Sequence, residues 1–85
     1  MKINLKFFAS LRETLKTSQE IVELPVGIST VSQLRDFLVA RGEPWTGALA
    51  QGKSLRAALN HQMVEDDTSL LEGAEVAFFP PVTGG

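Results

Sequence analysis

The sequence contains no cysteine and only one histidine, and these two absences exclude several kinds of chemistry. Without a thiol, the chain forms no disulfide, binds no metal through thiolates and holds no persulfide on a side chain. The single histidine, His61, lies in a segment with the composition of a turn, and no nucleophile is paired with it in a recognisable pattern. We therefore expect His61 to be a surface residue and not a catalytic base.

Two further absences concern where the chain resides and what it binds. No apolar run reaches the length of a membrane-spanning helix, and Lys2 is followed by an alternating strand instead of the apolar stretch of a signal peptide. We expect a cytoplasmic protein that does not bind membranes. Eight Lys and Arg residues against ten Asp and Glu residues give a formal net charge of −2. No basic stripe is available for nucleic acid.

The sequence also lacks a motif for binding ATP or a metal ion. No glycine pattern typical of a phosphate-binding loop is present, so any ATP is expected to be bound by a partner protein. The acidic run at residues 65–67 lacks the spaced oxygen ligands and the glycine of a calcium loop. We interpret it as a solvated turn, and we expect this chain to bind no cofactor.

The hydrophobic pattern indicates one small domain of short strands and helices. A chain of 85 residues buries about 60 to 65% of its unfolded surface, which leaves little room for a large internal active site. Alternation of polar and apolar residues predicts strands, and apolar residues three or four apart predict helices. We predict strands at residues 2–8, 19–24, 55–60, 63–64 and 76–79, and helices at 10–16, 31–41 and 44–51.

The longest predicted helix has recognisable signals at both ends. Thr30 and Gln33 form a capping-box pattern at its start, and Gly42 followed by Pro44 ends it. We expect its apolar face to cover a mixed sheet. This order of elements predicts an α+β fold, with a domain at residues 1–79 and a tail at 80–85.

The C-terminal stretch from Val76 to Gly85 is the most informative part of the chain. It begins as an apolar strand, and Pro80-Pro81 stops that strand because proline has no backbone N–H to donate to a ladder. From Pro80 to Gly85 an extended chain spans at most about 20 Å, which is enough to enter the active site of another protein. Terminal glycines without a Cβ fit a narrow channel. A Gly-Gly end taken alone is more typical of a frayed terminus than of a functional group.

The terminal run EVAFFPPVTGG resembles the C-terminal signature of the small subunits of molybdopterin synthase, a family of ubiquitin-like sulfur carriers. The resemblance implies a β-grasp fold in which the first and last strands are parallel neighbours. Carriers that serve thiazole synthesis or tRNA thiolation share this fold and the Gly-Gly end. The similarity covers nearly the whole chain in order, through Phe7-Phe8-Ala9, Arg12-Glu13, the Trp45 segment, Ala58-Leu59-Asn60 and Leu71-Glu72-Gly73.

The resemblance further implies that Gly85 is the working group and that Gly84 provides clearance. An adenylating enzyme related to ubiquitin activators would use ATP to form the Gly85 adenylate, and a sulfur donor protein would convert it to a thiocarboxylate. The tail would then enter the large synthase subunit and deliver sulfur to cyclic pyranopterin monophosphate. The chain would be a non-catalytic subunit of a heterotetramer with two large subunits. The alternatives are a sulfur carrier for another pathway, a ubiquitin-like modifier and a passive interaction domain.

The pattern also predicts a docking surface at the root of the tail. Phe8 falls on the outer side of the first strand, and Phe79 falls on the outer side of the last. If these strands are neighbours, the two rings form an exposed aromatic patch with Arg12 at its border. The alternative is that a second layer or a loop covers them. The predicted docking residues are Phe8, Arg12, Phe79, Pro80, Pro81, Val82 and Thr83.

Overall fold

Five strands and three helices form residues 1–50 and 54–80, the part of the chain that the computed structural model describes, in the order β-α-β-α-α-β-β-β. Every predicted element is present, and the observed ends differ from the predicted ends by at most two residues. Residue 51, the predicted end of the third helix, and Gly52, which would close that helix, lie outside the described residues. The strands are β1 (Lys2–Phe7), β2 (Gln19–Glu23), β3 (Arg56–Leu59), β4 (Gln62–Val64) and β5 (Glu75–Phe79), and the helices are α1 (Ala9–Leu15), α2 (Val31–Val39) and α3 (Trp45–Leu49).

The five strands form one mixed sheet in the order β2-β1-β5-β3-β4. The first and last strands are parallel neighbours, and every other pair is antiparallel. This pairing confirms the predicted β-grasp fold of class α+β. Its consequence for function is that β5, which precedes the predicted tail, is a central strand with a partner on each side. In residues 1–50 and 54–80, no helix is long and apolar enough to cross a membrane.

The hydrophobic core lies between one face of the sheet and the helices. Alternation along β1 and β5 places every second side chain on this face, as the sequence predicts. From their apolar character, Leu70 and Leu71 are both expected to pack on the core, and this expectation is wrong for Leu71, which is 56% exposed while Leu70 is buried. The Leu70 amide donates to the Ser29 carbonyl beside α2, while Leu71 begins the turn into β5. The fully buried core side chains are Ile3, Leu5, Phe7, Val31, Leu34, Leu38, Leu49, Val76 and Phe78.

The start of α2 has the capping box that the sequence predicts. Thr30 Oγ1 accepts a hydrogen bond from the Gln33 amide at 3.2 Å, and Gln33 Oε1 accepts one from the Thr30 amide at 3.2 Å. The carbonyls of Asp66 and Thr68 accept two further amide hydrogen bonds from the first turn. These bonds satisfy the free donors of the helix and join α2 to the loop that precedes β5.

Because Ile21 and Val22 are adjacent apolar residues, alternation alone does not assign the two faces of β2, and its register with β1 does. Val22 pairs with Ile3 and lies in the core, whereas Ile21 pairs with Asn4 on the outer face and is exposed. The outer face of the sheet therefore carries an apolar residue at the edge far from β5.

Candidate functional site

The strand that leads into the tail is held on both of its edges. Phe78 pairs with Phe7 of the parallel neighbour β1, and Phe79 pairs with Arg56 of the antiparallel neighbour β3. The ladder ends at Phe79, and Pro80 follows without an N–H to extend it. The point at which the chain leaves the sheet is thus fixed by hydrogen bonds on two sides.

Aromatic packing on the helical side of the sheet supports the same strand. The rings of Phe7 and Phe78 are stacked with centroids 6.4 Å apart, and Trp45 of α3 meets Phe7 edge-on at 5.6 Å. Such pairs each contribute about 0.5 to 1.5 kcal/mol beyond the area they bury. The last residues of β5 are therefore packed firmly against the core.

On the opposite side of the sheet, the structure brings Phe8 and Phe79 together. Their rings are stacked with centroids 5.1 Å apart and an interplanar angle of 9°. Phe8 is 41% exposed and Phe79 is half-buried. The predicted adjacency of the two rings is confirmed, and the exposure of Phe8 rules out a layer that covers both. Their role in docking stays a prediction.

Of the remaining predicted site residues, the structure describes only Arg12 and Pro80. Arg12 is exposed on α1, four residues after Phe8, and within residues 1–50 and 54–80 it forms no hydrogen bond or ion pair. Pro80 is half-buried at the end of β5. The other five predicted residues lie outside the described part of the chain, namely Pro81, Val82, Thr83, Gly84 and Gly85.

A groove of about 740 Å³ lies beside the root of the tail, and sequence reasoning did not anticipate it. Pro80 forms part of its wall, and the carboxylate of Glu43 lies over α3. Gly47 makes that position possible, because a Cβ there would come within 2.9 Å of a Glu43 carboxylate oxygen. The groove joins elements that are far apart in sequence, so no local motif signals it. Its other lining residues are Ser10, Leu11, Thr14, Pro44, Ala48, Ser54 and Leu55.

A buried arginine fixes the end of α3. Arg35 donates from Nε to the Leu49 carbonyl and from Nη2 to the Ala50 carbonyl, each at 2.6 Å. Burial lowers the pKa of Arg35 below its ordinary value. The group still stays charged at neutral pH, since arginine titrates far above it. Charge-assisted bonds of this kind are among the stronger hydrogen bonds in proteins.

A second arginine connects β2, α2 and α3 at the surface. Arg41 donates to both carboxylate oxygens of Glu20, at 2.9 and 2.6 Å, and its guanidinium lies 4.6 Å from the centre of the Trp45 ring. The hydrogen bonds with Glu20 raise the pKa of Arg41. Because Trp45 packs on Phe7, this cluster stabilises the packing behind β1 and β5.

The described residues form a structural support, and no cluster of reactive side chains is found among them. They contain no group of three or more His, Cys, Asp or Glu residues able to hold a metal ion. His61 is exposed, with Nδ1 3.6 Å from a Glu75 carboxylate oxygen. What the geometry provides is a rigid strand whose end is presented next to an exposed aromatic pair.

A mixed five-stranded sheet with parallel terminal strands and one helical layer defines a ubiquitin-like β-grasp protein. The ThiS family model matches residues 5–85, and the chain belongs to the ThiS family. The molybdopterin synthase sulfur carrier subunit of Escherichia coli (strain K12) is 45% identical over 83 residues, covering 98% of this chain and 99% of that protein.

Solved structures of similar proteins agree with this assignment. A putative molybdopterin converting factor, subunit 1, from Pyrococcus furiosus has a TM-score of 0.77 at 27% identity, covering 96% of this chain and 99% of that one. SAMP1 from Haloferax volcanii has a TM-score of 0.75 at 26% identity, and the structural alignment covers 100% of this chain and 100% of that one.

Proposed function

We propose that this chain is the sulfur-carrying small subunit of a molybdopterin synthase and that Gly85 carries the sulfur as a thiocarboxylate. The observation that supports this proposal most strongly is the 45% identity to the Escherichia coli sulfur carrier subunit over almost the full length of both chains. In this role the chain is a protein cosubstrate, and the active site belongs to the partner subunit.

The first chemical task is to activate the end of the chain. A terminal carboxylate has a pKa of about 3.3 to 3.7 in model peptides, so it is ionised at neutral pH and is a poor electrophile. Its attack on the α-phosphorus of ATP forms the Gly85 acyl-adenylate and releases pyrophosphate. Sulfide-level sulfur then attacks the acyl carbon, the bond to the AMP oxygen breaks, and AMP leaves. The product is the Gly85 thiocarboxylate.

Other proteins supply the catalytic groups for these steps. A ubiquitin-activator-like adenylating enzyme binds the ATP, and a sulfur donor protein provides the sulfur. The loaded tail then enters the large subunit, where the thiocarboxylate transfers its sulfur to cyclic pyranopterin monophosphate. We propose a heterotetramer in which two large subunits form the centre. Along the tail, Gly84 gives clearance in the channel, and Pro81, Val82 and Thr83 span its length.

Affinity for the partners requires more than the tail. Ordering each tail residue costs about 1 to 2 kcal/mol, so threading alone binds weakly. The stacked pair Phe8 and Phe79 supports a docking role, because it is exposed at the root of the tail. Arg12 and Pro80 lie on the adjoining segments. Aromatic and arginine side chains are the residues most often found at the centre of protein interfaces.

The experiment that tests the carrier chemistry is mass spectrometry of the loaded chain. The protein is incubated with ATP, its adenylating enzyme and a sulfide source, and the intact mass and C-terminal fragments are measured. We expect one oxygen to be replaced by sulfur at Gly85, and no change in a control chain that lacks Gly85. An unchanged mass of the wild type, with an adenylating enzyme that loads another carrier, would contradict the proposal.

The acceptor is identified in a second step. The thiocarboxylated chain is mixed with the large subunit and cyclic pyranopterin monophosphate, and formation of molybdopterin is measured. Loading without transfer to this pterin would favour a carrier of another pathway, such as thiazole synthesis or tRNA thiolation. Isopeptide adducts between Gly85 and lysines of other proteins would favour a ubiquitin-like modifier.

A further inference from the structure

The groove beside the root of the tail is lined by α1 and α3, on the helical side of the sheet, whereas the stacked rings of Phe8 and Phe79 lie on the outer side. Pro80, from which the tail continues, forms part of its wall. The volume of about 740 Å³ lies within the range of about 300 to 1,000 Å³ that is usual for ligand pockets. The groove is therefore large enough for a partner side chain together with the backbone that carries it.

The lining of the groove is partly apolar and carries a negative charge. Its described lining residues include one acidic side chain, Glu43, and no basic one. Leu11 is buried, and Ala48 and Leu55 are half-buried, so they form an apolar part of the lining. Lysine and arginine match such a surface, because their methylene stems cover apolar groups while the charged end stays at a polar edge.

The carboxylate of Glu43 has no cation of this chain beside it. Within residues 1–50 and 54–80, Glu43 forms no ion pair. The basic residue nearest to it in sequence, Arg41, binds both carboxylate oxygens of Glu20 and packs on the ring of Trp45. A partner that covered Glu43 with apolar groups would remove its water without compensation, which is unfavourable. A cationic side chain at the same place supplies that compensation.

Gly47 determines where this carboxylate lies. It is inside α3, where glycine is less favourable than any other residue except proline. A Cβ on Gly47 would lie 2.9 Å from one carboxylate oxygen of Glu43 and 3.2 Å from the other. All the close neighbours of that Cβ belong to the Glu43 side chain, so the glycine makes room for the charge and not for a packed backbone.

We propose that the groove between α1 and α3 receives a lysine or arginine side chain of the large subunit, which pairs with the Glu43 carboxylate. The inference rests on the proposed function, because the large subunit is the partner that takes up the tail and thereby passes the groove at Pro80. The charge pair lies on the other side of the sheet from the aromatic pair. Contacts on both sides of β5 fix the orientation of the chain about the axis of its tail.

The test is the dissociation constant of the full chain with the large subunit at ionic strengths from about 0.02 to 0.5 M, over which the screening length falls several-fold. Glu43→Gln removes the charge and keeps the shape of the side chain. Glu13→Gln makes the same change on an exposed residue of α1 that does not line the groove, and it is the matched control. We expect Glu43→Gln to raise the low-salt dissociation constant at least about tenfold, as for one charge-assisted hydrogen bond, and to flatten its salt dependence. We expect the control to change it by less than about twofold.

Gly47→Ala keeps the charge but displaces it. We expect a loss of affinity similar to that of Glu43→Gln, with an unfolding midpoint at or above the wild-type value because alanine favours the helix. If both residues act through the same carboxylate, the double variant Glu43→Gln with Gly47→Ala binds no more weakly than Glu43→Gln alone. Additive losses would overturn the role assigned to Gly47.

Other results would assign the groove differently. Equal dissociation constants for Glu43→Gln and Glu13→Gln at all salt concentrations, with a wild-type complex present, would overturn the cation assignment alone. A dimer of the free chain that Glu43→Gln disrupts, seen by analytical ultracentrifugation, would assign the groove to a second copy. Amide chemical shifts of Ser10 and Thr14 that change when the tail is shortened by two residues would assign it to the tail. Absence of any wild-type complex with the large subunit would overturn the proposed function as well.

Discussion

Arg35 is the buried charged residue of the described core, and hydrogen bonds from its guanidinium to the Leu49 and Ala50 carbonyls tie α2 to the end of α3. Sequence patterns did not identify it, because the carbonyls of Leu49 and Ala50 are 14 and 15 residues away. In a sequence, an arginine that lies between the apolar positions of a helix gives the same pattern whether its side chain is solvated or buried. The position of α3 against α2 shows that the Arg35 side chain is buried.

Replacing Arg35 with methionine tests this role at the level of stability. Arg35→Met leaves the Leu49 and Ala50 carbonyls without their donors, so we expect the free energy of unfolding to fall by about 2 to 4 kcal/mol. Urea unfolding measures the change. Arg56→Met, at an exposed position, is the control and is expected to stay within about 0.5 kcal/mol of the wild type. Equal stability of the two variants would show that the Arg35 hydrogen bonds add little.

At the scale of the elements, features that depend on nearby residues could be predicted from the sequence, whereas features that depend on neighbouring strands could not. The capping box of α2 was readable because Thr30 and Gln33 are three residues apart. Alternation groups Ala58 with Arg56 on one side of β3 and Ala77 with Phe79 on one side of β5, and the register between the two strands shows that both sides belong to the outer face of the sheet. Their burial there was not predictable, because it depends on side chains from neighbouring strands that are distant in sequence. The parallel pairing of β1 with β5 came from the family resemblance and not from periodicity.

The N-cap of α2 gives a prediction for a single element. Thr30→Ala removes the oxygen that accepts from the Gln33 amide, so we expect a loss of about 1 kcal/mol in the free energy of unfolding. Thr14→Ala is the comparison, since Thr14 is exposed on α1 and caps nothing. Thermal or urea unfolding of both variants measures the difference. A Thr30→Ala protein as stable as the Thr14→Ala protein would contradict the assigned role of the cap.

The outer face of the sheet yields a prediction about docking. Phe8→Asp places a charge in the stacked pair at the root of the tail, so we expect affinity for the large subunit to fall by at least about tenfold, as at a central interface residue. Ile21→Asp changes an exposed apolar residue at the far edge of the same face and is expected to bind normally. Isothermal titration calorimetry measures both. Full affinity of Phe8→Asp would remove Phe8 from the docking surface.

At the scale of the whole molecule, the two sides of the sheet serve different purposes. The helical side holds the buried core that stabilises the fold, and a chain without cysteine depends on that packing. The outer side, the tail and the groove between α1 and α3 carry the groups assigned to partners. The strands, the helices and the α+β class were predictable because hydrophobic periodicity reports burial, whereas the β-grasp topology came from the family resemblance. The role of Gly85 was not predictable from the residue pattern. A terminal glycine looks the same in a sulfur carrier and in a frayed end, and only the resemblance of the whole sequence to a family distinguishes the two.

This division predicts that stability and sulfur loading can be separated. Deleting Gly84 and Gly85 leaves every core residue of residues 1–50 and 54–80 in place, so we expect the free energy of unfolding to stay within about 0.5 kcal/mol of the wild type while thiocarboxylate formation is abolished. Phe78→Ala removes a fully buried ring from β5 and is expected to cost about 3 to 5 kcal/mol.

Urea unfolding and intact-mass analysis of the same two proteins measure both properties. Under conditions where Phe78→Ala remains folded, its C-terminus is unchanged, so the folded fraction should still be loaded with sulfur. A deletion protein destabilised by more than about 1 kcal/mol would mean that the tail packs on the domain. The boundary between a domain at residues 1–79 and a tail at 80–85 would then be wrong, because the tail would belong to the folded unit that it is proposed to extend.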